Sequence, residues 1–243
     1  MITIRIPARA LVTALHATAA TLMLAFLVTQ ALKLHGYDSE MGFRRLFNLD
    51  AEGTLPVWFS SAVMLGASAL LAAIAAERSR AGDRYRWHWW VLSMGLLFMS
   101  ADETASIHEM TNRAAVALPI TAKGFLLFPW VVIGGAVVLV VGLSYLRFLR
   151  DLPPAARRGF IVAAACYLGG ALGMEMVSAA VASAQGLDLQ PIGWDERGDF
   201  SFAYALVVAA EEGLEMIGMN LFVEALLDYL ATQIGGIGVE AGR

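Results

Sequence analysis

Six apolar stretches, at about residues 10–32, 57–76, 88–109, 124–146, 159–182 and 201–230, take up most of this 243-residue sequence. Each approaches the ~20 residues that an α-helix needs to cross a ~30 Å hydrocarbon core. Lipid offers no hydrogen bonds to the backbone, so a segment of this length that spans must satisfy its own N–H and C=O groups as a helix. The sequence therefore predicts an all-α integral membrane protein, a six-transmembrane-helix bundle filling residues 1–243 as a single transmembrane domain. Its 58% hydrophobic content and 16% charged residues lie well outside the range of ordinary soluble domains. The first stretch follows Arg5 and Arg9 as a signal peptide would, but its apolar run exceeds the ~7–15 residues of such a region, which favours a retained anchor.

Orientation follows the distribution of Lys and Arg. With the N-terminus cytoplasmic, eleven of the seventeen bases fall on inside segments, among them Arg78, Arg80, Arg84, Arg86, Arg147, Arg150, Arg157 and Arg158. Both termini are then expected in the cytoplasm, and the bacterial cytoplasmic membrane is the expected location. Trp87, Trp89 and Trp90 mark the inner interface, while Trp58 and Trp194 mark the outer one. The first external loop, 33–56, sets Phe43, Leu46, Phe47 and Leu49 around Arg44 and Arg45, the pattern of a short amphipathic helix on the membrane surface. Pro56 is placed to open the second helix. No basic run suited to nucleic acid is present.

Six carboxylates lie within these apolar stretches: Asp102 and Glu103 in the third, Glu175 in the fifth, and Glu211, Glu212 and Glu215 in the sixth. An acid at a helix centre costs roughly 2.5–3.5 kcal/mol on a translocon-type scale. Bound cations, protonation or basic partners have to offset that cost, and the apolar stretches contain few bases. At about 100° per residue, Asp102, Glu103, Ser106 and Glu109 share one side of the third helix, while Glu211, Glu212 and Glu215 share an arc of the sixth. Depths counted at ~1.5 Å per residue put the acids of all three helices between the midplane and the outer leaflet. One shared site is the economical reading.

Clustered carboxylates repel, and a divalent cation removes the conflict by binding their oxygens. Glu103, Glu175, Glu212 and Glu215 are the expected ligands, with Asp102 and Glu211 completing the shell and His108 and Glu109 as further candidates. Asp50 and Glu52 could supply a fourth approach if the outer loop folds inward. An oxygen-rich shell suits iron or manganese better than structural zinc. The chain matches the di-metal carboxylate bundle in part, carrying Glu212-x-x-Glu215 where Glu-x-x-His would stand. Glu109 also sits four residues from Arg113, the spacing of a simple ion pair.

Three functions remain open on these grounds. One is metal-dependent, oxidoreductase-type chemistry on a hydrophobic or lipid-like substrate. Another is proton or cation transport on the buried acids, with Gly169, Gly170 and Gly173 near Glu175 able to unwind a helix. The third is a small subunit of a larger membrane complex, or a homo-oligomer, with a structural metal clasp. Nothing in the sequence suits haem, a nucleotide or a nucleophilic serine, since no paired His, phosphate loop or Gly-x-Ser-x-Gly elbow occurs. The methionines on the acidic helices and Cys166, among small residues, suggest packing.

Overall fold

Long helices account for nearly all of the structure, a computed structural model that describes residues 6–37, 42–107, 110, 124–128, 130–185, 201–234 and 239–240. In chain order they are α1 (Ala8–Leu34), the single turn α2 (Phe43–Leu46), α3 (Leu55–Arg80), α4 (Arg86–Ala105), α5 (Trp130–Asp151), α6 (Pro154–Leu168), α7 (Glu175–Ala184) and α8 (Phe202–Gln233). A 3₁₀ turn, Gly124–Leu126, precedes α5, and a π-helical turn, Gly169–Met174, joins α6 to α7 without a break. Two-residue segments β1 (Ile6–Pro7) and β2 (Val239–Glu240) pair in parallel, which brings the start of α1 and the end of α8 to one end of the bundle.

Four helical stretches are long and apolar enough to cross a membrane: Ala8–Leu34, Leu55–Arg80, Trp130–Asp151 and Pro154–Ala184. The chain is a membrane protein on that ground. The third and sixth expected spans, α4 and α8, are long enough at 20 and 32 residues, yet neither is among the four. The difference has a physical source: α4 ends on Asp102-Glu103, and α8 carries Glu211, Glu212, Glu215, Glu224 and Asp228.

The ends of several helices depart from the sequence reading for local reasons. Thr54 caps α3, accepting from the Val57 N–H at 3.4 Å, and Pro56 lies in the first turn. The helix expected over 88–109 stops at Ala105, because Ser106 takes a left-handed φ of 46°. The stretch expected to begin at 124 turns into an α-helix only at Trp130. Ser201 caps α8 by accepting from the Tyr204 N–H at 3.2 Å, and the Gln185 side chain donates to the same hydroxyl at 2.8 Å, which ties the end of α7 to the start of α8.

Packing follows small and hydroxyl side chains. α3 and α4 are joined by two reciprocal serine pairs seven residues apart: Ser61 and Ser100 each donate to the other's carbonyl at 2.8 and 2.9 Å, and so do Ser68 and Ser93 at 2.7 and 2.9 Å. Hydroxyls that bridge helices in this way are the polar glue of membrane bundles. Ser61 and Ser100 are thereby structural. α6 lies on α8 through glycines: a Cβ on Gly159 would stand 2.9 Å from that of Ala225, and Gly218 abuts the Tyr167 backbone.

At the arginine-rich end the core is aromatic. Trp89 is 1% exposed and packs on Phe148, Phe160 and Tyr229, so it is a core residue, whereas Trp87 is exposed as an interfacial residue should be. Arg78 donates to the Tyr229 hydroxyl at 2.7 Å and lies over its ring. α5 turns Val137, Leu139, Val140 and Leu143 outward, a surface suited to lipid. Among the described residues, α2 is the only helix in the first long loop; Phe43 and Leu46 are exposed on it, and the following Leu49 is buried in the core.

Candidate functional site

A cavity of about 120 Å³ opens at the end of the bundle opposite the arginines. Six acids line it: Asp50 and Glu52 from the loop before α3, Glu103 from the last turn of α4, Glu175 at the first residue of α7, and Glu211 and Glu212 from α8. Phe128, Trp130 and Tyr204 supply aromatic wall, and Ser106 and Ser178 supply hydroxyls. No lysine, arginine or histidine is among the described lining residues.

Each contribution has a local cause. Leu49, 2% exposed, anchors the loop so that the next residue, Asp50, reaches the cavity. Ser106, the one non-glycine with positive φ among the described residues, ends α4 just past its acid pair; its N–H donates to the Asp102 carbonyl at 2.6 Å. Backbone strain of that kind clusters at functional sites. The π-helical turn ends immediately before Glu175, and π-turns likewise concentrate where function does. Gly170 within it presses on α8: a Cβ there would lie 2.7 Å from the Glu211 carbonyl oxygen and 2.8 Å from Glu215 Cγ. That close approach brings Glu175, five residues further on, beside the acids of α8.

The acids touch one another's fields. Glu211 lies within electrostatic reach of Glu175, and Glu212 lies within reach of Glu215, Glu103, Asp50 and Glu175. Glu175 also accepts from the Trp130 indole N–H at 3.1 Å. Glu215, a turn below Glu211 on α8, lies beside Tyr167.

The expected ligands are thus distributed as follows. Glu103, Glu175, Glu211 and Glu212 line one cavity, and Glu215 stands behind it on Tyr167. Asp102 is not among the lining residues. His108 and Glu109 lie outside the described residues. Among the described residues, no three His, Cys, Asp or Glu side chains converge as a group that could hold a metal ion. The oxygens surround a space instead of meeting at a point. Asp50 and Glu52 do come inward with the loop before α3. Trp130, Tyr167 and Tyr204 were not legible as site residues, since an aromatic in an apolar run has no distinguishing spacing. Glu224 and Asp228 are exposed, away from the cavity.

No curated protein and no solved structure matches the chain. Residues 13–230 match the domain of unknown function DUF8692, and the chain belongs to that family.

Proposed function

We propose that the protein binds one or two divalent cations in the acidic cavity, near the outer leaflet of a bacterial cytoplasmic membrane, and uses them for oxidoreductase-type chemistry on a hydrophobic substrate. A six-helix bundle with α4 and α8 as spans and both termini cytoplasmic is the arrangement this requires. The observation that carries the proposal is six carboxylates lining one cavity with no base among the described lining residues. Charges of one sign in a low-dielectric site are relieved most directly by a cation.

Glu103, Glu175, Glu211 and Glu212 would hold the ion, with Glu215 behind them and Asp50 and Glu52 drawing it in. A cation that keeps part of its water shell would suit acids that, among the described residues, surround a space without three of them meeting at a point. Oxygen donors suit manganese, magnesium or iron, and a redox-active ion would take electrons from the substrate in its oxidation. The wall of Phe128, Trp130 and Tyr204 gives an apolar substrate a place beside it.

A second reading, proton or cation transport, draws support from acids of separate helices, Glu103, Glu175, Glu211 and Glu212, lining one cavity, as an ion relay would need. One experiment separates the two. Elemental analysis of the purified protein should find stoichiometric metal in the wild type and little in a Glu212→Gln, Glu215→Gln double variant. Metal-free protein that drives pH-dependent ion flux in vesicles would establish transport instead.

A further inference from the structure

α6 buries one side and leaves another bare. Gly159 and Ala163 pack inward, Gly159 against Ala225 of α8. Pro154, Arg157, Arg158, Ile161 and Val162, spaced i, i+3, i+4, i+7 and i+8, share a different face. They line a groove of about 240 Å³ at the arginine-rich end of the bundle. Ile161 and Val162 are 49% and 50% exposed, on a helical stretch apolar enough to cross a membrane. Arg157 donates through Nη1 to the Arg150 carbonyl at 3.2 Å, which holds its guanidinium against the α5–α6 turn. The acid close to this turn, Asp151, is already engaged by Arg84, Arg150 and the Tyr85 hydroxyl. The groove is therefore cationic at one end and branched hydrocarbon at the other.

We infer that this groove binds an anionic phospholipid, its phosphate on Arg157 and Arg158 and an acyl chain along Ile161 and Val162. Guanidinium groups match phosphate oxygens with paired donors. Basic pockets at the surface end of membrane helices are the form that lipid-headgroup sites take. The first turn of α6 acts in the same direction, because the N–H groups of Ala155 and Ala156 receive no side-chain cap and carry the positive end of the helix dipole. A soluble anion would use only the arginines, and a neutral lipid only the apolar half. A lipid with a charged head uses both.

The test is native mass spectrometry of the full-length protein released from nanodiscs of phosphatidylcholine containing a minor share of phosphatidylglycerol. The wild type should retain phosphatidylglycerol in preference to phosphatidylcholine. An Arg157→Gln, Arg158→Gln variant should lose roughly tenfold or more of that preference, and Arg80→Gln, at an exposed site paired with Glu77, should lose none. Ile161→Ser with Val162→Ser should weaken retention with both arginines in place. Equal retention by the arginine variant and the wild type overturns the inference. So does displacement of the lipid by millimolar inorganic phosphate, which would mark a soluble-anion site.

Discussion

Gly170 lies so close to Glu211 that a Cβ on the glycine would stand 2.7 Å from the glutamate carbonyl oxygen. The atom met is backbone in the middle of α8, so it has no flexible end to move aside. Gly170→Ala should therefore separate α8 from the π-helical turn and lower stability by about 1–3 kcal/mol. Gly173→Ala, in the same turn but with nothing within 4 Å of its Cβ, should be close to neutral. Thermal unfolding of both variants in detergent checks the contrast; equal effects would mean that glycine serves helix geometry here and not the approach to the acids.

The serine pairs between α3 and α4 make a second prediction. Ser68 and Ser93 each satisfy the other's carbonyl, so Ser68→Ala removes one bond and Ser93→Ala the reciprocal one. Because each hydroxyl donates to a backbone carbonyl that the other substitution leaves in place, each single variant should lose about 0.6 kcal/mol, the average for interhelical hydrogen bonds in a membrane bundle, and the two losses should add. Single variants as stable as the wild type would show that small size alone holds these two helices together.

Much of this was legible because its signals are local. Apolar runs of membrane length locate α1, α3 and α5, and the buried acids mark where the cavity lies. The acids also explain why α4 and α8 stand apart from the four apolar spans. What the sequence could not supply was orientation about each helix axis. Glu103 reaches the cavity and its neighbour Asp102 is not part of the lining, although helical spacing put both on one side. Glu215, expected as a ligand alongside Glu212, is not part of the lining and lies beside Tyr167, whose approach Gly218 permits. Trp89 reads as an interfacial residue until the rings of Phe148, Phe160 and Tyr229 close around it.

If the cavity holds a cation, folding and cation binding are linked. A ligand that binds the native state alone raises stability by RT ln(1 + [L]/Kd), about 2.7 kcal/mol at a hundred times Kd. Manganese should raise the unfolding temperature of the wild type and raise that of Glu212→Gln much less. Without added metal the order should reverse, because neutralising one acid among several like charges removes repulsion. A variant less stable than the wild type in metal-free buffer would place Glu212 in a favourable polar contact and argue against a repulsive cluster.

Trp130 offers a direct optical view of the same site. Its indole N–H donates to Glu175, and both residues line the cavity, so a guest that recruits the carboxylate must loosen or break this bond. A hydrogen bond to a charged acceptor is worth about 1.5–3 kcal/mol. Cation binding should therefore change tryptophan emission at concentrations that track occupancy. Trp130→Phe should abolish most of that change, and because Glu175 loses the donor that orients it, should shift cation affinity by up to roughly tenfold. Trp58→Phe, at a side chain 69% exposed on α3 and not among the cavity's lining residues, should leave both the signal and the affinity as they are. A cation response that persists in Trp130→Phe and disappears in Trp58→Phe would move the binding event out of the acidic cavity and onto the exposed start of α3.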